Sequence, residues 1–266
     1  MDVFGRVSSE YRKKARVQQS AASRLIDLLD VGSGDRVIDV GCGPGHLTDR
    51  LRTLTDNPVV GTDISPAMID QARDRFPGLT FRCLAAEQLD YTDQFDVVFC
   101  NSAFIWFKQP ERALGAIRRA LKSGGRLGIA NPATAQWSPW FLRILSTVSN
   151  RPDIRETFSH WASPWFVLPT AEAYQELFER CGFQTRHLRI ERESSDFSIE
   201  QAYDLYLSGP ANGYISPEFY ACPLDDDYVE RFNCYVREAI EQEGANGRVN
   251  AVFNRLYYVG IKPSGA

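Results

Sequence analysis

The chain predicts a doubly wound α/β fold with a mostly parallel sheet, and three observations carry that prediction. Short apolar strands alternate with helices between residues 31 and 131, the pattern of a parallel sheet covered on both faces. The first strand, Val37-Ile38-Asp39-Val40, runs into Gly41-Cys42-Gly43-Pro44-Gly45 and then into a helix. The second strand ends on Asp63. Ligands on such sheets sit at the carboxyl ends of the strands, near the reversal of strand order. The turn after Val40, the tip at Asp63 and the exit of the fourth strand at Asn101 all fall on that edge.

Each element has a local reason. Residues 10–29 form an amphipathic helix, with Tyr11, Ala15, Gln18, Ala22, Leu25 and Leu29 on one face. Strands are expected at 36–40, 59–62, 80–83, 95–100 and 126–130. Helices are expected at 47–53, 66–76 and 111–121. The second of these has Ser65 as N-cap and Pro66 at its first position. Residues 132–169 break the alternation and hold Trp137, Trp140, Trp161 and Trp165, four of the chain's 5 tryptophans, with Phe141, Phe158 and Phe166. After them come a helix at 171–181, a strand at 184–192, helices at 199–207 and 226–243, and a strand at 249–261. No internal repeat or low-complexity tract interrupts the series. The organisation expected is a helical cover over 1–30, a nucleoside-binding core over 31–131, an aromatic lid insertion over 132–169, and the rest of the sheet with added helices over 170–266, all in one catalytic domain.

Composition narrows the partners. The 266 residues are 44% hydrophobic, ordinary for a globular core, and 30 basic against 34 acidic residues give a net charge of −4. That balance argues against nucleic acid, which selects a basic stripe. The one basic cluster, Arg12-Lys13-Lys14-Ala15-Arg16, reads as a solvated helix face. The 6 cysteines, at 42, 83, 100, 181, 222 and 234, show no C-x-x-C or metal-ligand spacing, which suits thiols in a reducing compartment and no metal. No apolar run reaches the roughly 18 residues of a membrane helix, and residues 1–9 lack the apolar core of a signal peptide. The expectation is a cytoplasmic protein with no membrane partner.

The glycine turn narrows the ligand. Dinucleotide sites use G-x-G-x-x-G; here the spacing is G-x-G-x-G, with His46 at the position of that final glycine. No G-x-x-x-x-G-K-[ST] phosphate loop is present. The tight variant resembles motif I of the class I S-adenosylmethionine (SAM) methyltransferases. Four more segments are similar to that family in order: Asp63-Ile64-Ser65-Pro66-Ala67-Met68, Ala85-Ala86-Glu87-Gln88-Leu89, Phe95 to Ser102, and Ala120 to Leu127. The resemblance spans about residues 31–131. It implies a Rossmann-like, seven-stranded sheet closed by an antiparallel last strand, SAM as cofactor, and a methyl transfer as the reaction.

The resemblance also assigns residues. Gly41, Gly43 and Gly45, with Cys42 among them, would let the backbone approach the methionine portion, and Asp39 would act through its ammonium. Asp63 would hold the ribose hydroxyls, since a carboxylate directly after an apolar strand needs a partner. Ile64 and Met68 would pack on adenine, with Ala86 and Glu87 at its far edge. Asn101 would offer its backbone carbonyl to the ammonium. Relatives often place an Asp just before the Ala-Glu pair; this chain has Ala85, so that hydrogen bond comes from elsewhere or is absent.

For the acceptor, the segment Phe4 to Tyr11 resembles the lead-in of carboxyl methyltransferases of the malonyl-acyl-carrier-protein and trans-aconitate kinds. The long aromatic insertion favours the small-molecule branch, with an oxygen as acceptor, a carboxylate oxygen among the options. A carrier protein stays open but disfavoured, because only residues 12–16 offer a basic docking face. A SAM-binding protein without catalysis is a further alternative. Tyr11, His46 and His160 are the candidate catalytic residues, each with a plain structural alternative. Trp106, Trp137, Trp140, Trp161 and Trp165 either line the substrate pocket or form the insertion's own core. Arg143, Arg151 and Arg155 either clamp a carboxylate or solvate the surface.

Overall fold

The computed structural model describes residues 16–264. Seven strands form one sheet: β1 (Val37–Val40), β2 (Val59–Asp63), β3 (Thr80–Cys83), β4 (Phe95–Asn101), β5 (Leu121–Pro132), β6 (Gln184–Ser198) and β7 (Arg248–Ile261). Their order is β3-β2-β1-β4-β5-β7-β6. The first five run parallel. β7 lies antiparallel between β5 and β6, as the family resemblance implied. The order reverses at β1, which pairs with β2 on one side and β4 on the other. The connections therefore diverge above β1 and β4 and leave a crevice there.

The helices are α1 (Arg16–Leu29), α2 (His46–Arg52), α3 (Pro66–Arg75), α4 (Pro110–Ala120), α5 (Pro139–Ser149), α6 (Pro152–Phe158), α7 (Ala171–Arg180), α8 (Ile199–Leu207), α9 (Pro210–Ile215) and α10 (Tyr228–Glu243). Every residue of β1 is buried, because alternate side chains feed opposite layers. Ile38, Val98 and Ile129 pack with α4 and α7. Val37, Val97 and Phe99 pack with α1 through Ala21, Leu25 and Leu29. Ser65 caps α3, its hydroxyl accepting from Met68 N–H at 3.3 Å with Pro66 behind it.

The structure departs from the sequence expectation beyond residue 132. β5 pairs with β7 only as far as Pro132 and Arg255, whereas β6 stays paired with β7 to Ser198 and Arg248. The last two strands thus leave the sheet as a two-stranded arm, which alternation over 184–192 did not reveal. The arm, α5, α6 and α8 to α10 enclose one shared aromatic core. A boundary at 169 cuts through it: Phe141 stacks on Tyr206 at 5.5 Å, and Phe158 on Phe232 at 6.0 Å. The tryptophans of 137–165 cannot bury themselves alone, and the helices after β6 complete the cap.

Candidate active site

The turn after β1 is built around backbone that only glycine adopts cheaply. Gly41, Gly43 and Gly45 have φ of 77°, 52° and 85°, the left-handed region. At two of them packing adds a second requirement. A Cβ on Gly41 would stand 2.2 Å from the Ala103 Cβ, and one on Gly45 would stand 2.8 Å from Phe81. At Gly43 nothing lies within 4 Å, so that glycine keeps space open instead of fitting a neighbour.

Asp63 ties the turn to the next strand. Its Oδ2 accepts from Gly43 N–H and its Oδ1 from Ser65 N–H, both at 2.9 Å. The N–H groups of Gly41 and Cys42 both donate to Thr62 O, at 2.7 and 2.9 Å. Asp39 sits beneath the turn, 1% exposed, and accepts from Thr48 Oγ1 at 2.7 Å. Burial pushes its carboxyl up to about 7; the Thr48 hydrogen bond opposes that and the Asp63 charge adds to it. Thr48, on α2, is a supporting residue that the motif did not single out.

Around this frame, Ile64 is 66% exposed, the only large hydrophobic side chain exposed among the described residues. Met68 and Ala86 are buried. Glu87 accepts from Gln109 N–H at 3.3 Å, so its carboxylate fastens the Ala86–Gln88 turn to the start of α4. At the exit of β4, Asn101 Oδ1 and Ser102 Oγ are buried without a hydrogen-bond partner. Ser102 also has φ of 59°, unusual for a non-glycine. No sequence signal distinguished Ser102, because neither its backbone angle nor its lost partner is a local property of the residue type.

The chemistry of these residues fits a nucleoside cofactor: space beside Gly43, an exposed apolar side chain next to the Asp63 carboxylate, and two polar atoms without partners at the β4 exit.

Other predicted residues lie elsewhere. His46 Nε2 is 2.6 Å from Arg75 Nη1, and its ring meets Phe76 edge-on at 5.5 Å, against the end of α3. His160 is exposed. Tyr11 lies outside the described residues. Arg143 pairs with Glu243 at 2.8 Å and Arg151 with Glu238 at 2.9 Å, and Arg155 is exposed; the structure brings none of these arginines to the crevice. The tryptophans divide. Trp140 is 2% exposed within the cap core. Trp165 touches Trp106, Trp137 and Trp161 edge-on, at 5.9, 6.0 and 5.9 Å. Trp106 belongs to the turn Phe104–Trp106 just after β4. An aromatic bridge therefore joins the crevice to the cap. No described helix is long and apolar enough to cross a membrane.

Comparison with known proteins agrees with this geometry. Residues 38–129 match the family model described as a methyltransferase domain. The chain is 36% identical over 132 residues to the malonyl-[acyl-carrier protein] O-methyltransferase of Acetivibrio thermocellus, covering 48% of this chain and 47% of that one. It is 30% identical over 126 residues to the trans-aconitate 2-methyltransferase of Methylobacterium nodulans, covering 47% and 49%. The match thus spans about half the length of these two relatives. Among solved structures, geranyl diphosphate C-methyltransferase of Streptomyces coelicolor, in complex with S-adenosyl-L-homocysteine (SAH), superposes with a TM-score of 0.55 over 93% of this chain and 81% of that chain, at 13% identity. Residues 38–129 are thus similar to a methyltransferase domain, and the fold around them is shared with solved methyltransferases.

Proposed function

We propose that this chain moves a methyl group from SAM to an oxygen of a small-molecule acceptor, and that the oxygen belongs to a carboxylate. The observation that carries the reading is where the candidate bases lie. Of the candidate bases among the described residues, His46 is engaged with Arg75 and Phe76 and His160 is on the surface; Tyr11 lies outside them. An acceptor that is already an anion at neutral pH needs no base. The names of the two relatives, which both denote acids as substrates, support the same choice.

SAM supplies a methyl group already activated by a sulfonium. The work left to the protein is to bind, orient and exclude water, and alignment alone can contribute on the order of 7–11 kcal/mol. In this reading Gly41 and Gly43 admit the methionine portion close to backbone. Asp39 and the Asn101 carbonyl face its ammonium. Asp63 takes the ribose hydroxyls, while Ile64 and Met68 sandwich the adenine with Ala86 at its edge. Trp106 and Trp165 wall the acceptor side, where an apolar surround strengthens every polar contact made inside it.

The test is SAH release measured with a panel of small acids, their neutral amides, and the same acids linked to a carrier protein. Turnover with free acids and none with the amides is the expected result. Turnover restricted to carrier-linked acids would replace the small-molecule reading. SAH binding without turnover on any acceptor would make the chain a non-catalytic SAM-binding protein.

A further inference from the structure

Arg255 is the only buried cation among the described residues, at 4% exposure. It stands on β7, level with Pro132 of β5 and Glu191 of β6. Burying a guanidinium is costly unless acceptors replace the lost water, and here they do not. Nε and Nη1 are buried with no hydrogen-bond partner. The nearest carboxylate, Glu193 Oε2, is 3.5 Å from Nε, and the other oxygen of Glu193 accepts from the Tyr257 hydroxyl. Glu193 supplies charge but not the hydrogen bonds that the fork of donors can make.

The position of this unsatisfied cation is informative. Side chains alternate along β7, so Arg255 shares the face of Tyr257 and Val259, under α1, while Leu256 and Tyr258 enter the opposite core. Its neighbour on β5, Pro132, lies two residues past Ala130, whose carbonyl takes the Ser102 N–H at 2.7 Å. Arg255 is therefore on the carboxyl edge of the sheet, two strand spacings or about 10 Å from the exit of β4. Asn101 Oδ1 and Ser102 Oγ are the orphaned polar atoms at that exit. A buried cation with unpaired donors at one end, and at the other the Ser102 hydroxyl, which can donate, suit a short acid that carries a second anionic group.

We infer that Arg255 is the specificity-determining cation of the acceptor site, holding a carboxylate of the substrate other than the oxygen that is methylated. The inference rests on the methyltransferase reading for the identity of the site, but its central claim is anion binding. A carboxylate accepts two parallel N–H bonds from a guanidinium, which would satisfy the Nε and Nη1 donors together. Acids with two or more carboxylates should be preferred over monoacids.

The experiment titrates the SAH-loaded protein with malonate, succinate and tricarballylate, and with tricarballylamide as a neutral control, by calorimetry. Three variants are compared: Arg255→Met, Arg255→Lys and Glu193→Gln. The wild type should bind at least one of the acids and not the amide. Arg255→Met should weaken that binding by roughly 10- to 100-fold, with the SAH affinity unchanged, and Arg255→Lys should fall between. Glu193→Gln should bind the acid at least as tightly as the wild type, because a competing carboxylate has gone. If Arg255→Met fails to fold, the Lys and Glu193→Gln variants still decide. Acid binding that is lost in Glu193→Gln would make Arg255 part of a structural ion pair and overturn the inference. So would equal acid affinity in Arg255→Met, or no acid binding by a wild type that binds SAH normally. Failure of the wild type to bind SAH would instead remove the methyltransferase reading itself.

Discussion

The glycine turn and the aromatic cap sit on the same edge of one sheet and are built by opposite means. The turn is a backbone device: three left-handed glycines, N–H groups shared between Thr62 O and Asp63, and a carboxylate bridging two loops. The cap is a side-chain device. Trp165 meets Tyr214 at 4.8 Å, Phe158 stacks on Phe232 at 6.0 Å, and Phe141 lies against Tyr206 at 5.5 Å, with partners drawn from segments far apart in sequence. The family match, residues 38–129, covers the turn and stops before the cap. A group common to many acceptors is well served by backbone, whose geometry tolerates little change. Acceptor recognition is served by side chains, which can be exchanged one at a time.

The largest test of this contrast lies inside the turn. Gly41→Ala places a methyl 2.2 Å from Ala103 at a φ of 77°, which should cost about 3 kcal/mol or more of stability. Gly43→Ala meets nothing within 4 Å and should cost only the roughly 1–2 kcal/mol of a left-handed alanine. It should nevertheless weaken SAH binding at least as much per unit of stability lost, since its methyl occupies the space left for the ligand. Thermal melts set beside calorimetric SAH affinities would show it. If Gly43→Ala bound SAH like the wild type, the cradle would lie elsewhere.

The converse test is in the cap. Trp165→Ala removes the hub of the aromatic bridge and should destabilise the chain by about 2–4 kcal/mol, slightly less than a fully buried tryptophan. SAH affinity should change by less than about threefold, because the turn takes none of its geometry from Trp165, whereas acceptor turnover should collapse. Equal losses in both would mean that the two halves are one cooperative site.

What could be read from sequence follows the same division. β1, the turn, the Ser65 cap and Asp63 are local: each announces itself within a few residues, and the structure has all of them as expected. The arm formed by the ends of β6 and β7 has no such signal, since its pairing joins residues 192–198 to 248–254 and its face is covered by helices from elsewhere. The tryptophans were visible as a cluster, but their partition was not. Trp140 in the core and Trp106 at the crevice have identical side chains and differ only in tertiary neighbours. The arginines show the limit most clearly. Arg143 and Arg151 attracted notice by lying near the aromatic segment and turn out to pair on the surface. Arg255, within an ordinary alternating strand, is the one buried.

A last expected effect, one that appears only as pH is varied, concerns Asp39, and its sign can be worked out. Its carboxyl ordinarily titrates at 3.8 and in the folded chain is pushed up to about 7 by burial. Between these values the folded chain holds a proton that the unfolded chain has released. The contribution to stability is therefore fully present below pH 4 and is lost as pH rises to about 7, by up to about 4 kcal/mol. Asp39→Asn should abolish that slope, so its stability gain over the wild type should be larger at pH 8 than at pH 5. Ligand binding should run the other way. If the ammonium of SAH faces Asp39, it favours the ionised form, so affinity should rise by up to tenfold per unit as pH approaches 7 and then level off. Calorimetry at pH 6 in buffers of different ionisation heat should register a released proton for the wild type and none for Asp39→Asn. A proton release that persists in Asp39→Asn would assign the titration to another group and leave Asp39 as a residue that only supports the turn through Thr48.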